Sequence, residues 1–339
     1  MLRPIGPGYS PYNQYDEKVT ESACQWLQDA TEREEDQPWV LFVGLVAPHF
    51  PLTAPEAFIK PYLDMDLPEP RLRPQNGYVR HPWLEDMARS QPVDDSLSDE
   101  ERQLAVASYY GLISFMDHQV GKITNQLEAS GLTKNTRVLY TSDHGDNQGV
   151  RGLWGKSTMN DESAGVPMIL SGPGVPKRKE VTTPVSLVDI YPTVLAAVGV
   201  EDDICAGNQR AHTRSLLDVA NADAEDRFVV SEYHAVGSRS AAYMLRDKVY
   251  KFIYYIDYPA ELFDMSKDPY EESDLGRLPE YAGIVQHYEM SLRKILNPEA
   301  VDATAKADQA VVIARHGGPD KCINMGAQGA TPVPVPCEQ

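Results

Sequence analysis

Three uninterrupted apolar runs, PWVLFVGLVAP, TRVLYTSD and VPMILSGPG, restrict this chain more than any other feature. A run without a polar face suits a strand covered on both sides, the setting of a parallel sheet flanked by helices. Segments of helical period separate them. Residues 16–36 place Val19, Ala23, Trp26 and Leu27 on one face, and the stretch from Ser98 to Gly131 opens with the capping pattern SDEE. VSLVDIYPTVLAAVGV reads as a further helix with Pro192 near its first turns. The alternation predicts an α/β domain built on a mostly parallel sheet with helices on its faces.

After about residue 215 the texture changes. RFVVSEYHA, SAAYMLRD, VYKFIYYID and AELFDMS are short, aromatic-rich runs separated by turn residues, which predicts a smaller antiparallel subdomain covered by a helix over PEYAGIVQHYEMSLRKIL. The expected organisation is therefore a main domain over 1–215, a small sheet subdomain over 216–297 and a C-terminal tail over 298–339. The tail ends in GAQGATPVPVPCEQ and is expected to be extended, with a homo-oligomer contact on a neighbouring subunit as its use.

At 339 residues with 42% hydrophobic content, the chain is long enough to bury a substantial core. Fifty acidic against 31 basic residues leave a net charge of −19, a field that repels nucleic acid. An anionic substrate would need positive charge supplied locally, by a metal or a few basic side chains. No apolar stretch approaches the roughly 20 residues of a membrane-spanning helix, and the first residues lack the apolar core of a secretory signal, so neither membrane nor export is expected. Cys24, Cys205, Cys322 and Cys337 form no paired motif and read as reduced thiols of a cytoplasmic protein.

Functional residues of such sheets gather where strands end. His49, in VAPHFP, and the pair Asp143-His144, in TSDHG, each close an apolar run and begin a loop. A carboxylate beside an imidazole suits a divalent metal, the oxygen favouring calcium, magnesium or manganese. Gly145, Gly149, Gly152 and Gly155 then make a flexible, tightly turning loop that delivers Lys156, an ammonium able to meet an oxyanion. His49 suits a general acid or a hydrogen-bond donor to a substrate oxygen, and the plainer alternatives are a capped loop histidine for His49 and a surface lysine for Lys156. His118 and His212 read as surface or packing residues, and Glu232 with His234 stays ambiguous.

Taken together, GPGYSPYNQYDEKVTESACQWL, VAPHFP, YTSDHGDNQGVRGLWGKSTMNDESAGVPMILSGPGV, VSLVDIYPTVL and ELFDMSKDPYEESDL resemble, in order, the type I sulfatase family of the alkaline-phosphatase-like superfamily. The C-terminal stretch resembles bacterial choline-sulfatase-like members. The resemblance implies that Asp143 and His144 are metal ligands, with calcium the foremost ion. It further implies that Lys156 contacts the sulfate and the nucleophile, and that His49 stands on the leaving-group side. Glu232 and His234 are expected on the substrate side. Family members begin with a strand ending in Asp-Asp, a Cys/Ser-x-Pro-x-Arg element whose Cys or Ser becomes formylglycine, and a Lys-x-His motif; none is found here. The chain is thus expected to be the C-terminal portion of a sulfatase acting on small organic sulfate esters, with no nucleophile of its own. A phosphonate monoester or phosphodiester hydrolase, or a non-catalytic homologue, are the alternatives.

Overall fold

Two serines start the two long helices of the chain. Ser10 accepts from the Asn13 backbone N–H while the Asn13 side chain accepts from Ser10, opening α1 (Pro11–Asp29). Ser98 and Glu101 make the same reciprocal cap ahead of α4 (Asp99–Ala129). The computed structural model describes residues 2–32, 38–90, 93, 97–200, 213–235 and 237–324.

β1 (Gly6–Pro7) precedes α1, and β2 (Thr53–Ala54), α2 (Glu56–Leu63) and α3 (Pro82–Ala88) come between the two helices. After α4 follow β3 (Val138–Thr141), α5 (Asp161–Ala164), β4 (Met168–Ser171), α6 (Ile190–Ala197) and α7 (Leu216–Asn221). The last part holds β5 (Val229–Tyr233), β6 (Ala242–Arg246), β7 (Tyr250–Tyr255), β8 (Glu261–Asp264), α8 (Ala282–Ile295), α9 (Pro298–Arg315) and α10 (Pro319–Asn324). The chain divides into two compact units: 1–80, 91–230 and 246–249 in the first, and 81–90, 231–245 and 250–339 in the second.

In the first unit α1 and α2 pack on α4, whose buried face carries Ala105, Leu112 and Phe115. Phe115 and Ile59 are wholly buried, and each such side chain contributes about 1.5–3 kcal/mol relative to exposure. Gly111 lets α4 approach closely, since a Cβ there would lie 2.9 Å from the Ile59 Cα. The buried face of α1 is less apolar than the expected stripe. Asn13, Asp16 and Thr20 are buried in line with Ala23 and Leu27, whereas Val19 and Trp26 are only half-buried.

The mostly parallel sheet is not what forms. β1 and β2 pair in parallel over two residues, but β3 and β4 pair antiparallel, with Val138 opposite Ser171 and Thr141 opposite Met168, and β7 and β8 pair antiparallel as well. An apolar run reports exclusion of water from a strand, not the direction of its neighbour; the connection sets that. A parallel neighbour needs a crossover to the far end of the sheet. Here residues 142–167 leave at Thr141 and return at Met168, which are paired, so the connection stays at one end. The run PWVLFVGLVAP also differs: residues 38–46 form no strand, with Phe42 90% and Val40 59% exposed.

In the second unit the strands follow sequence order, β5-β6-β7-β8, and Tyr243, Leu245, Phe252, Ile253 and Leu262 are buried among them. Tyr288 and Leu292 of α8 are buried too, with the Tyr288 ring 6.0 Å from that of Phe252. Lys251 and Glu271 form a wholly buried ion pair. Beyond Pro298 the sequence reading made no provision for helices, yet Asn297 caps Ala300 and Pro298 begins α9, a run rich in strong helix formers. The expected extended tail, Cys205, His212 and Cys337 lie outside the described residues. No helix among the described residues is long and apolar enough to cross a membrane.

Candidate active site

The residues singled out near the two apolar runs gather in the first unit. His49 Nδ1–H donates to the Phe50 carbonyl at 2.7 Å, which leaves Nε2 as an acceptor, and Lys156 Nζ donates to it at 3.0 Å. The His144 ring lies 6.3 Å from that of His49, and the Lys156 ammonium sits 5.9 Å from the Phe50 ring centre. Burial pushes the His49 imidazole below its ordinary range, with the Lys156 and His144 charges acting the same way. Burial also lowers Lys156, against the pull of Asp143 and Asp146. The pair is therefore a neutral imidazole holding an ammonium, in a place only partly reached by water.

The loop that presents these groups is not a flexible tether. Arg151 sits at φ 56° and is buried, a conformation that costs a non-glycine residue on the order of 1 kcal/mol. Its carbonyl accepts from Arg80 Nε at 2.7 Å, its backbone N–H donates to the Arg71 carbonyl at 3.1 Å, and its guanidinium meets Glu162 at 2.9 Å. Gly152, at φ 67°, gives the Arg80 side chain room: a Cβ would lie 2.6 Å from its guanidinium nitrogen. At the loop's start Gly145 donates to the Ser163 carbonyl at 2.8 Å, and no side chain fits there because a Cβ would stand 2.1 Å from the Glu162 carbonyl oxygen.

Asp146 closes the loop. Its Oδ1 accepts from the backbone N–H of Gln148 at 2.9 Å and of Gly155 at 3.2 Å, so one buried carboxyl ties the first turn to the residue before Lys156. Burial pushes that carboxyl up to about 6, against these hydrogen bonds and the Lys156 charge. Neither Asp146 nor Arg151 stood out in the sequence. The only available signal was the burial-prone setting of charged residues among glycines, and that is visible only once the loop is folded.

Asp143 and His144 present two donors to the exterior. His144 Nδ1–H donates to the Gly145 carbonyl at 2.8 Å, so its Nε2 lone pair is available, 3.6 Å from Asp143 Oδ2. The Asp143 side chain is 84% exposed. A divalent cation can touch both atoms at that separation, so the chemistry of the pair fits a metal. Among the described residues no third His, Cys, Asp or Glu joins them. Glu232 and His234 belong to the second unit and form a pair of their own, with His234 Nε2 3.3 Å from Glu232 Oε2 and the His234 ring against Tyr243. His118 packs on Phe58.

The sulfatase family model matches residues 3–200. The chain belongs to the sulfatase family. A model of the N-sulphoglucosamine sulphohydrolase C-terminal region further matches residues 149–297 of the chain. Arylsulfatase K of Danio rerio is 30% identical over 311 residues, covering 84% of the chain and 56% of that protein. Choline-sulfatase of Rhizobium meliloti (strain 1021) is 30% identical over 280 residues, covering 78% and 52%. The chain thus spans about half the length of the curated relatives it matches. Among solved structures, the phosphonate monoester hydrolase of Agrobacterium radiobacter shares the fold at a TM-score of 0.68 and 22% identity, covering 87% of this chain and 62% of that one.

Proposed function

We propose that this chain holds the anionic head of a small organic sulfate ester at Lys156 and His49, as part of a sulfatase-type hydrolase site to which its own residues bring no Cys/Ser-x-Pro-x-Arg nucleophile element. The observation that carries the reading is the 3.0 Å contact of Lys156 Nζ with His49 Nε2, beside the outward-facing His144 and Asp143. Two further observations support the partial character of the site. The chain covers 52–57% of its curated relatives, and the apolar residues Val40 and Phe42 face water in the segment leading to His49.

In this reading Lys156 turns from His49 to the sulfate oxygens and offsets their charge in a half-buried setting, where an ammonium acts more strongly than in water. His49 takes a proton on Nε2, the nitrogen left open by the Phe50 carbonyl, and is then placed to donate it to the leaving oxygen. Asp143 and His144 would hold a divalent cation, with calcium the first choice for the carboxylate; such an ion supplies Lewis-acid polarisation of the ester. The likeness to choline-sulfatase supports a small alkyl or choline-type ester.

The test is equilibrium binding of inorganic sulfate and of a dialkyl phosphate to the purified chain with calcium, together with turnover of paired aryl sulfate and phosphodiester substrates. The expected result is sulfate binding in preference to the phosphodiester, with no turnover by the chain alone. Preference for the phosphodiester, or no sulfate binding with calcium present, would overturn the assignment.

A further inference from the structure

Asp16 lies on α1, one turn beyond Tyr12, and is wholly buried. Among the described residues no lysine or arginine pairs with it; the carboxylate instead accepts two backbone N–H groups, Val46 on Oδ1 at 2.7 Å and Ala47 on Oδ2 at 2.8 Å. Burying an ionised carboxylate without a counter-ion is costly, and burial does push Asp16 above the ordinary carboxylate range. An apolar residue would serve the α1–α4 packing at lower cost. What the carboxylate adds is specific: both oxygens are spent on consecutive amides of one turn.

That turn carries His49. The His49 N–H donates to the Val46 carbonyl at 3.0 Å, so the peptide unit gripped by Asp16 also closes the turn from which the imidazole projects. The Tyr12 ring meets His49 edge-on at 6.2 Å, from the same face of α1. A continuous path then runs from Asp16 through the 46–49 turn to the imidazole, whose Nδ1–H is committed to Phe50 and whose Nε2 receives Lys156.

We propose that Asp16 is the positioning residue of the anion-binding pair: its bidentate grip on the Val46 and Ala47 amides sets the direction and tautomer of His49. The inference rests on the reading of His49 and Lys156 as that pair. Asp16 touches no reacting atom and acts only through the turn.

The experiment compares Asp16→Asn with Thr20→Val in the full chain. Thr20 is buried on the same face of α1, where its hydroxyl donates to the Asp16 carbonyl, so it controls for the loss of any buried polar group there. The readouts are the nitrogen chemical shifts of the His49 ring, which report its tautomer, and the affinity for inorganic sulfate with calcium. An asparagine keeps one acceptor and turns an amide N–H toward the other donor. Asp16→Asn is therefore expected to mix the two His49 tautomers and weaken sulfate binding roughly 10-fold, the low end for lost supporting contacts, while Thr20→Val leaves both at wild-type values. Should Asp16→Asn not fold, Asp16→Glu, which keeps the charge but lengthens the arm, carries the same expectation. A wild-type tautomer with affinity within twofold, or equal effects from Thr20→Val, would overturn the proposal. Absence of sulfate binding to the wild-type chain would count against the proposed function instead, and the tautomer comparison would still decide the role of Asp16.

Discussion

Replacing Gly145 by alanine tests whether the metal-ligand pair is held as closely as the structure requires. The added Cβ would lie 2.1 Å from the Glu162 carbonyl oxygen, 3.0 Å from its carbon and 3.2 Å from the Gly165 oxygen, all backbone atoms that cannot swing aside. Relief requires the 144–145 backbone to move by roughly 1 Å away from α5, judged against ordinary contact distances. Such overpacking costs about 1–3 kcal/mol. The same movement breaks the Gly145 N–H to Ser163 hydrogen bond, and a half-buried amide left unpaired costs up to about 1–3 kcal/mol more. The expected loss is thus about 2–6 kcal/mol, with calcium affinity at Asp143 and His144 falling roughly 10-fold or more. Gly121→Ala is the control: it lies inside α4 with nothing within 4 Å of an added Cβ, and alanine there should stabilise by about 0.5–1 kcal/mol. Urea unfolding in chelator, monitored by tryptophan fluorescence, gives the stabilities, and calorimetric titration with calcium gives the affinity. If Gly145→Ala unfolds within about 0.5 kcal/mol of wild type by that extrapolation, the close approach of the loop to α5 is not there and the reasoning fails.

Three further expectations can be checked with the same protein. Lys156→Met should weaken sulfate binding by about 10–100-fold, the worth of one hydrogen bond to a charged group, while changing stability by less than about 1 kcal/mol, because the half-buried ammonium loses its desolvation cost along with its bond to His49; a large loss of stability would make the lysine structural. Since His49 in the free protein lies below its ordinary range and a bound anion raises it, binding takes up a proton. Sulfate affinity should rise as pH falls toward and below 6.5, and His49→Gln should remove that slope. The folding contribution has the opposite sense: a depressed His49 is stabilising above its unfolded value and that stability is lost as pH falls through its folded value, so His49→Gln should flatten the acid side of a urea-midpoint series. Asp189→Ala removes the carboxylate that the Arg227 guanidinium meets at 3.1 and 3.2 Å and that accepts from the Ser186 and Arg214 amides. It should cost about 3–5 kcal/mol in unfolding experiments, with Asp189→Asn costing clearly less.

Local signals carried much of the chain. The Ser98 cap, the long α4 and the strands from Val229 onward follow from residue types a few positions apart, since a cap or a hairpin is satisfied by its own neighbours, whereas the helix expected from residue 16 begins at Pro11 behind a Ser10 cap. His49, Asp143, His144 and Lys156 could be picked out by residue type, because glycines and polar groups interrupt apolar runs there, but of these runs only the one before Asp143 and His144 ends a strand that forms. Strand direction was not legible. The pairing of Thr141 with Met168 depends on where residues 142–167 return, and nothing in three apolar runs encodes that. Nor was the segment 38–46, whose Val, Leu and Phe have the composition of a buried strand but meet no partner strand among the described residues.

By itself, then, the sequence determined which residue types stand at the ends of the apolar runs, and so the chemistry on offer: an imidazole, an ammonium and a carboxylate beside a second imidazole. Only the tertiary structure decided that His49 Nε2 faces Lys156 rather than solvent, that Arg80, Arg151 and Asp146 pin the glycine loop, and that a buried Asp16 grips the turn behind His49. The physical reason is the same in each case. These are hydrogen bonds and ion pairs between groups far apart in the chain, whose strength depends on burial and direction, and neither quantity exists until distant segments have closed on one another.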